Sequence, residues 1–291
     1  MKKYALFLGC NIPARVPQYE KAARAVLDRL GIELVDFRRF KCCGYPIQNV
    51  DREAYVLSAA GNLAVAEEAG LDMLVLCKCC YGSLRKARYL IERDEKLRQI
   101  VDRSLQGRGL RYSGRYEVKH FLSVLYHDVG LDAVRAGITR RFQDLRIAAQ
   151  YGCHALRPSE ITRFDDPIRP RILDELVEAT GAVSVDWPMK LECCGAPLLG
   201  VNDQVSLELT RKKAADGKRA GAHYLCTACP YCHQQFDSVG RASDLSDGEG
   251  QTLSPILYPQ LLGLSMGLGE AAVGLETGPN GGSNLLSFLS T

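Results

Sequence analysis

One arrangement of five cysteines occurs twice in this chain, and it limits the possible folds more than any other feature. Cys10, the vicinal pair Cys42-Cys43 followed by Gly44, and Cys77-x-x-Cys80 form the first set. Cys153, Cys193-Cys194 followed by Gly195, and Cys229-x-x-Cys232 form the second. In both, the vicinal pair runs into Gly-x-Pro (Gly44-Tyr45-Pro46 and Gly195-Ala196-Pro197). A chain with this internal repeat has to build the same unit twice, and each unit has to draw thiols from three distant segments to one place. Thiolates gathered in that way select soft metals: zinc, copper(I) or iron–sulfur clusters.

The segments between the cysteines alternate apolar strands with amphipathic helices. In the first half the spacing predicts strands over 3–9, 32–37 and 73–76 and helices over 18–30 and 51–68. Asp51 is the expected N-cap of the second helix, and one long charged helix is expected over 81–105. In the second half strands are expected over 146–151, 182–187 and 223–225, with helices over 169–180 and 203–220. The fold class is therefore α/β: two pseudo-twofold-related repeats, each a mainly parallel sheet flanked by helices. Ligands in such folds collect at the carboxyl ends of the strands, where most of these cysteines fall. The expected division is a first repeat over 1–106, a linker or helical connection over 107–143 and a second repeat over 144–268. A flexible Gly-rich tail is expected over 269–291, containing Gly278-Pro279-Asn280-Gly281-Gly282.

Composition narrows the function classes. The chain has 291 residues, is 46% hydrophobic and 24% charged, and carries a formal net charge of +3. That charge is too small and too dispersed to argue for nucleic acid. Twelve cysteines in a chain of this size argue against disulfide stapling, which serves small secreted domains. The stretch Ala5-Leu6-Phe7-Leu8-Gly9 before Cys10 is shorter than the roughly 7–15 apolar residues of a signal peptide, so it reads as a buried strand. No stretch approaches the roughly 18 apolar residues of a membrane span, and a cytoplasmic location is expected.

Five thiols suit a multi-iron cluster better than a single zinc ion, which takes four ligands from separated pairs. Adjacent cysteines strain to chelate one tetrahedral ion but can reach two irons. Zinc at the first set is the alternative. Cys226, Cys229 and Cys232 mimic the start of the cubane signature Cys-x2-Cys-x2-Cys-x3-Cys-Pro, but Phe236 stands where its fourth cysteine belongs. Cys226 and Cys79 have no counterpart in the other repeat and read as bystanders. Gly267-Leu268-Gly269-Glu270-Ala271-Ala272 matches a dinucleotide fingerprint but does not follow a strand, so a loop is expected there. With no Walker loop and no flavin motif, electrons have to come from or go to another subunit.

The paired motifs, with Leu76-Cys77-Lys78-Cys79-Cys80-Tyr81-Gly82-Ser83-Leu84 and Ala228-Cys229-Pro230-Tyr231-Cys232-His233, resemble the Cys-Cys-Gly (CCG) domain family. Within it they resemble the B-type subunit of heterodisulfide reductase and its bacterial relatives, including the sulfur-oxidising branch. The resemblance implies that Cys10, Cys42, Cys43, Cys77 and Cys80 bind one non-cubane [4Fe–4S] cluster. Cys153, Cys193, Cys194, Cys229 and Cys232 would bind a second, the two facing a cavity where a disulfide is cleaved. It also implies an oxidoreductase acting on sulfur groups within a complex, partnered by a ferredoxin-like iron–sulfur subunit and a flavin-containing subunit. A small thiol or disulfide, or a lipoyl-carrier-bound sulfur, would be its substrate. His154 is the candidate proton donor, because imidazole titrates near neutrality; its other reading is a hydrogen bond to a cluster sulfur. Lys41 and Lys78 adjoin ligands and are candidate contacts for an anionic substrate. Arginine outnumbers lysine, which favours a bacterial sulfur-oxidising role. The alternatives are reduction of a coenzyme M–coenzyme B type heterodisulfide and electron relay in a lactate, glycolate or succinate oxidoreductase.

Overall fold

Two four-stranded sheets, every pairing parallel, make up the core of the structure. The computed structural model describes residues 2–244, 253–275 and 283–290. The first sheet draws on β1 (Lys3–Phe7), β2 (Glu33–Val35), β3 (Met73–Val75) and β4 (Val118–His120), in the order β2-β1-β3-β4. Its helices are α1 (Asn11–Arg15), α2 (Pro17–Arg29), α3 (Arg52–Glu68), α4 (Lys78–Arg93) and α5 (Glu95–Gln106). α6 (Phe121–Ser123), a π-helical turn (Val124–Gly130) and α7 (Leu131–Ala136) then lead to the second repeat.

The second sheet consists of β5 (Arg146–Gln150), β6 (Val183–Val185), β7 (Tyr224–Thr227) and β8 (Ser254–Leu257), and its order β6-β5-β7-β8 repeats that of the first. Around it lie α8 (Ser159–Thr162), α9 (Ile172–Ala179), α10 (Asp203–Arg219), α11 (Pro230–Asp244), α12 (Tyr258–Ser265) and α13 (Ser283–Leu286). The central strands are apolar because helices cover both faces: Tyr4, Ala5, Leu6 and Phe7 of β1 and Ile147, Ala148 and Ala149 of β5 are buried. The two repeats interlock through α2 against α12 and α4 against α8.

The helix starts are written locally. Asp51 Oδ1 accepts from the Ala54 N–H at 2.9 Å and Asn202 Oδ1 from the Val205 N–H at 3.1 Å. A side-chain cap of this kind contributes about 0.5–2 kcal/mol. In each repeat it fixes where the loop carrying the vicinal cysteines ends and its helix begins.

Three parts of the chain differ from expectation. The long helix over 81–105 is two helices, because Asp94 takes an extended conformation and caps the second one, its Oδ1 accepting from Leu97 N–H at 3.1 Å. Helical spacing persists through both pieces, so periodicity alone does not register the break. The connecting segment supplies β4, which pairs with β3 as the fourth strand of the first sheet. The stretch just after it forms helical turns as expected, with Phe121, Leu122, Val124 and Leu125 buried. Finally, the described parts of the expected loose tail are docked. Val273, Leu285 and Leu289 are buried, and Leu289 bridges to Phe142. Gly278-Pro279-Asn280-Gly281-Gly282 lies outside the described residues.

Candidate metal centre between the repeats

The parallel topology brings the thiols together, since all strands of a sheet end on one side. Cys10 follows β1, Cys77 follows β3 and N-caps α4 in extended conformation, and Cys80 lies in the first turn of that helix. Cys42 and Cys43 sit in the loop after β2. Cys153, Cys193, Cys194, Cys229 and Cys232 occupy the matching places around β5, β6 and β7. Each vicinal pair is turned by a left-handed glycine, Gly44 at φ +81° and Gly195 at φ +88°. A Cβ on Gly44 would lie 2.8 Å from the Tyr55 carbonyl oxygen, and one on Gly195 would lie 2.4 Å from that of Ser206. Only glycine allows the loop to press onto its helix there.

All twelve cysteines are free thiols. Cys43, Cys77, Cys80, Cys194, Cys229 and Cys232 are buried; Cys42, Cys153 and Cys193 are partly exposed, and Cys10 is exposed. The Sγ atoms of Cys77, Cys79 and Cys229 all lie within 4.8 Å of one another, so thiols from both repeats meet at one point. Cys232 Sγ is 3.4 Å from Cys194 Sγ. Hydrogen bonds from Cys42 and Cys80 push the Cys43 thiol down to about 3, and those from Cys153 and Cys194 push Cys193 down to about 2. The first set thus contains one readily ionised sulfur and the second contains two, because hydrogen bonds from Cys232, Cys77 and Cys79 also hold Cys229 well below the ordinary thiol range.

Of the two cysteines without counterparts, Cys226 is buried within β7, where burial raises its pKa. Cys79 is placed differently from its bystander reading. Besides joining Cys77 and Cys229, its Sγ lies 3.5 Å from His154 Nδ1. His154 Nδ1 is also 3.3 Å from Cys153 Sγ, and its Nε2 is 3.3 Å from the Tyr45 hydroxyl. Burial holds the imidazole below its ordinary pKa, against the opposing effect of Cys229 and Cys193. Gly82 admits this contact: a Cβ there would stand 2.4 Å from the His154 carbonyl oxygen, so α4 could not approach the second repeat.

The two candidate lysines separate. Lys41 is exposed and lines, with Arg38, Arg39 and Arg108, a groove of about 690 Å³ along α3. Lys78 is 2% exposed and donates from Nζ to the Gln150 carbonyl at 2.9 Å, which makes it an internal cation and not a contact on an open surface. Sequence reasoning passed over three further polar residues. Gln150 Nε2 faces Cys232 Sγ at 3.8 Å. Asn62 donates to the Cys42 carbonyl at 3.0 Å, and Lys213 to the Glu192 carbonyl at 2.8 Å. Their segments are dominated by apolar spacing, and only tertiary packing shows what these polar positions serve.

A second cleft of about 690 Å³ lies at the junction, lined by Asn11, Arg15 and Gln18 from the first repeat and Leu199, Tyr231 and Gln234 from the second. Asn11 Nδ2 donates across it to Gln234 Oε1 at 3.1 Å, and the Tyr231 ring lies 6.3 Å from that of Tyr45. The donor set is uniformly thiol, largely buried, and free of disulfides, which fits iron–sulfur ligation.

This chain belongs to the cysteine-rich CCG domain family, of which it carries two copies at residues 4–85 and 147–237. Within that family it is homologous to the B-type subunit of heterodisulfide reductase. It is 35% identical over 280 residues to that subunit of the ferredoxin/F(420)H(2)-dependent CoB-CoM heterodisulfide reductase of Methanosarcina acetivorans, covering 95% of this chain and 93% of that one. A protein of Archaeoglobus profundus described as similar to the same reductase subunit is 35% identical over 92% of this chain and 91% of its own length. The 8-methylmenaquinol:fumarate reductase membrane anchor subunit of Wolinella succinogenes is 29% identical over 94% and 96%. A crystal structure of a hypothetical protein from Helicobacter pylori shares the fold, with a TM-score of 0.72 at 17% identity over 95% of this chain and 51% of that chain. Among the described residues no helix is long and apolar enough to cross a membrane.

Proposed function

We propose that this chain is the iron–sulfur subunit of a cytoplasmic heterodisulfide-reductase-like complex, and that a disulfide or persulfide bond is cleaved or formed between its two cysteine sets. In this reading Cys10, Cys42, Cys43, Cys77 and Cys80 hold one non-cubane [4Fe–4S] cluster, and Cys153, Cys193, Cys194, Cys229 and Cys232 hold another. The observation that carries it is the meeting of Cys77 and Cys229, thiols at matching positions of the two repeats, within 4.8 Å. The sulfurs of a disulfide are only about 2 Å apart, so one substrate bond can face both sets at once. Each cluster would supply or accept one of the two electrons that the bond requires.

The chain's own residues provide the rest. The junction cleft beside Tyr231 offers a small thiol or a carrier-bound sulfur a way in. Tyr45 and His154 form a hydrogen-bonded pair ending at Cys79 and Cys153, a route for the proton that a released thiolate takes up. Electrons leave or arrive through a ferredoxin-like iron–sulfur subunit and a flavin-containing subunit, leaving in the oxidising direction, consistent with the lack of nucleotide motifs in this chain. The physiological direction we assign is sulfur oxidation; reduction of a heterodisulfide, the reaction in the Methanosarcina relative's name, is the reverse at the same site.

Iron and sulfide analysis of anaerobically purified protein tests the reading, with about eight of each expected per chain. Four irons with one zinc would make the first set a zinc site and remove the paired mechanism. The Wolinella relative, named as a subunit of a quinol:fumarate reductase, supports a second reading, an electron relay in an oxidoreductase of that kind, in which no substrate sulfur reaches the clusters. Adding a thiol or mixed disulfide to the loaded protein separates the two. A change in the cluster spectra supports the sulfur site, while unchanged spectra with intact electron delivery select the relay.

A further inference from the structure

α3 and α10 are equivalent helices of 17 residues, each starting just after its cap and each packed beneath a Cys-Cys-Gly turn. Counted from Arg52 and Asp203, Asn62 and Lys213 occupy the same position. They also do the same bracing work on the segment entering the turn. Asn62 accepts from the Lys41 N–H at 2.7 Å and donates to the Cys42 carbonyl. Lys213 donates to the carbonyls of Glu192 and Met189 and lies 4.8 Å over the Trp187 ring. Asn62 is 1% exposed and Lys213 0%. A neutral amide therefore suffices for the bracing, yet the second repeat buries an ammonium there.

Burying a cation costs several kcal/mol unless something compensates it. Among the described residues no carboxylate forms an ion pair with Lys213. Asp216, one turn along α10, is engaged by the Met189 N–H and by Arg219, and the Glu192 side chain is exposed. The groups whose charge favours the Lys213 ammonium are first the thiols of Cys232 and Cys194, then the Glu192 carboxylate and the Cys193 thiol. Lys78 behaves alike although it belongs to the first repeat. Its ammonium crosses to the end of β5, and the thiols in its field are Cys232, Cys229, Cys226 and Cys153, all of the second repeat. Its counterpart in the second repeat, aligned through Cys77 and Cys229, is Pro230, which carries no charge. Lys78 and Lys213 are the two buried lysines among the described residues, and no buried arginine accompanies them.

We propose that these two buried ammonium groups act more strongly on the second cysteine set than on the first, making its centre the more oxidising of the pair and the first to take an electron. This rests on the two-cluster reading above. A positive charge in a low-dielectric surrounding favours the state of a neighbouring centre that carries the extra electron. The two pseudo-equivalent sites are thereby made unequal, with electrons passing from the first set to the second. Lys213 is a positioning residue for the turn and a tuning charge for the centre; it need not touch substrate.

The test is an EPR-monitored potentiometric titration of the anaerobic, cluster-loaded full chain, with iron analysis on the same sample. The unmodified protein is expected to reduce in two separated steps. Lys213→Gln keeps a donor for the carbonyls and removes the charge. It should lower the reduced-to-oxidised ratio of the higher-potential centre about tenfold, about 59 mV for a one-electron couple, and leave the lower one in place. Lys213→Arg should restore the higher step. If Lys213→Gln loses iron, Lys78→Met, which retains an unbranched stem, should produce the same selective shift. Full iron content with the higher step unmoved, or a shift of the lower step instead, overturns the inference. Two clusters that titrate together overturn it too and leave the functional reading standing; a chain that never holds two clusters refutes that reading instead.

Discussion

His120 is expected to make the stability of this protein fall steeply between neutral pH and pH 5. It ends β4, is fully buried, and stands against the edges of Tyr81 and Phe164 with ring centroids at 5.8 and 5.6 Å. Its Nε2 lies 3.2 Å from the Leu76 carbonyl, and its Nδ1 accepts from the Leu122 N–H at 3.2 Å. Only the neutral ring with hydrogen on Nε2 makes both bonds, because a second proton on Nδ1 would confront the Leu122 N–H. Burial, joined by the charge of Lys78, pushes the imidazole down to about 3, from 6.5. The unfolded chain therefore takes up this proton first as pH falls. The stabilisation is complete above about pH 6.5 and is lost progressively on the way to pH 3. At about 1.4 kcal/mol per pH unit, the 1.5 units between 6.5 and 5 amount to about 2 kcal/mol. The assay is anaerobic chemical denaturation of wild type and His120→Gln at pH 7.5 and pH 5.0. The variant is less stable at pH 7.5, and the gap between the two proteins should shrink by about 2 kcal/mol at pH 5.0. Parallel pH profiles would refute the reasoning. Leu76 immediately precedes Cys77, so iron release from the first set should follow the same pH course.

Substitutions around the thiols give sharper local readouts. Cys80→Ala and Cys229→Ala should each lose one cluster's worth of iron, whereas Cys226→Ala and Cys79→Ala should keep the full content. Loss of iron in Cys79→Ala would show that the Cys77–Cys79–Cys229 group is itself a ligand set. Gly195→Ala forces a side chain into the left-handed region, at about 1–2 kcal/mol, and drives its Cβ to 2.4 Å from the Ser206 carbonyl oxygen. It should roughly halve the iron content, measured against protein purified in parallel; normal loading would mean the turn can open without harm to the second set.

The repeat was legible in the chain because the features that define it are local. Apolar runs of period 2 and helical stripes of period 3.6 report which face of a segment is buried. The cap Asp51 and the placing of cysteines just past strand ends follow from residues within a few positions of one another. Two parallel α/β units with thiols at the carboxyl edge follow from these local signals alone. What escaped was whatever depends on partners far along the chain. β4 and β8 become strands because β3 and β7 offer them an open edge. The segment after Gly263 is glycine-rich, yet Val273 closes over Gly263, where a Cβ would meet its Cγ1 at 2.5 Å. Lys78 reads as a contact for an anionic substrate and Lys213 draws no reading, since nothing beside them in sequence tells where a four-carbon stem will end. Packing of the repeats put the Lys78 ammonium on the Gln150 carbonyl and Cys77 beside Cys229, and packing of α10 within the second repeat put the Lys213 ammonium under its Cys-Cys-Gly turn. The placing of thiols at the strand ends was thus determined by local sequence, while the meeting of the two sets and the lysines buried beside the second were decided by tertiary structure, because electrostatic neighbours are set by distance in space and not by separation along the chain.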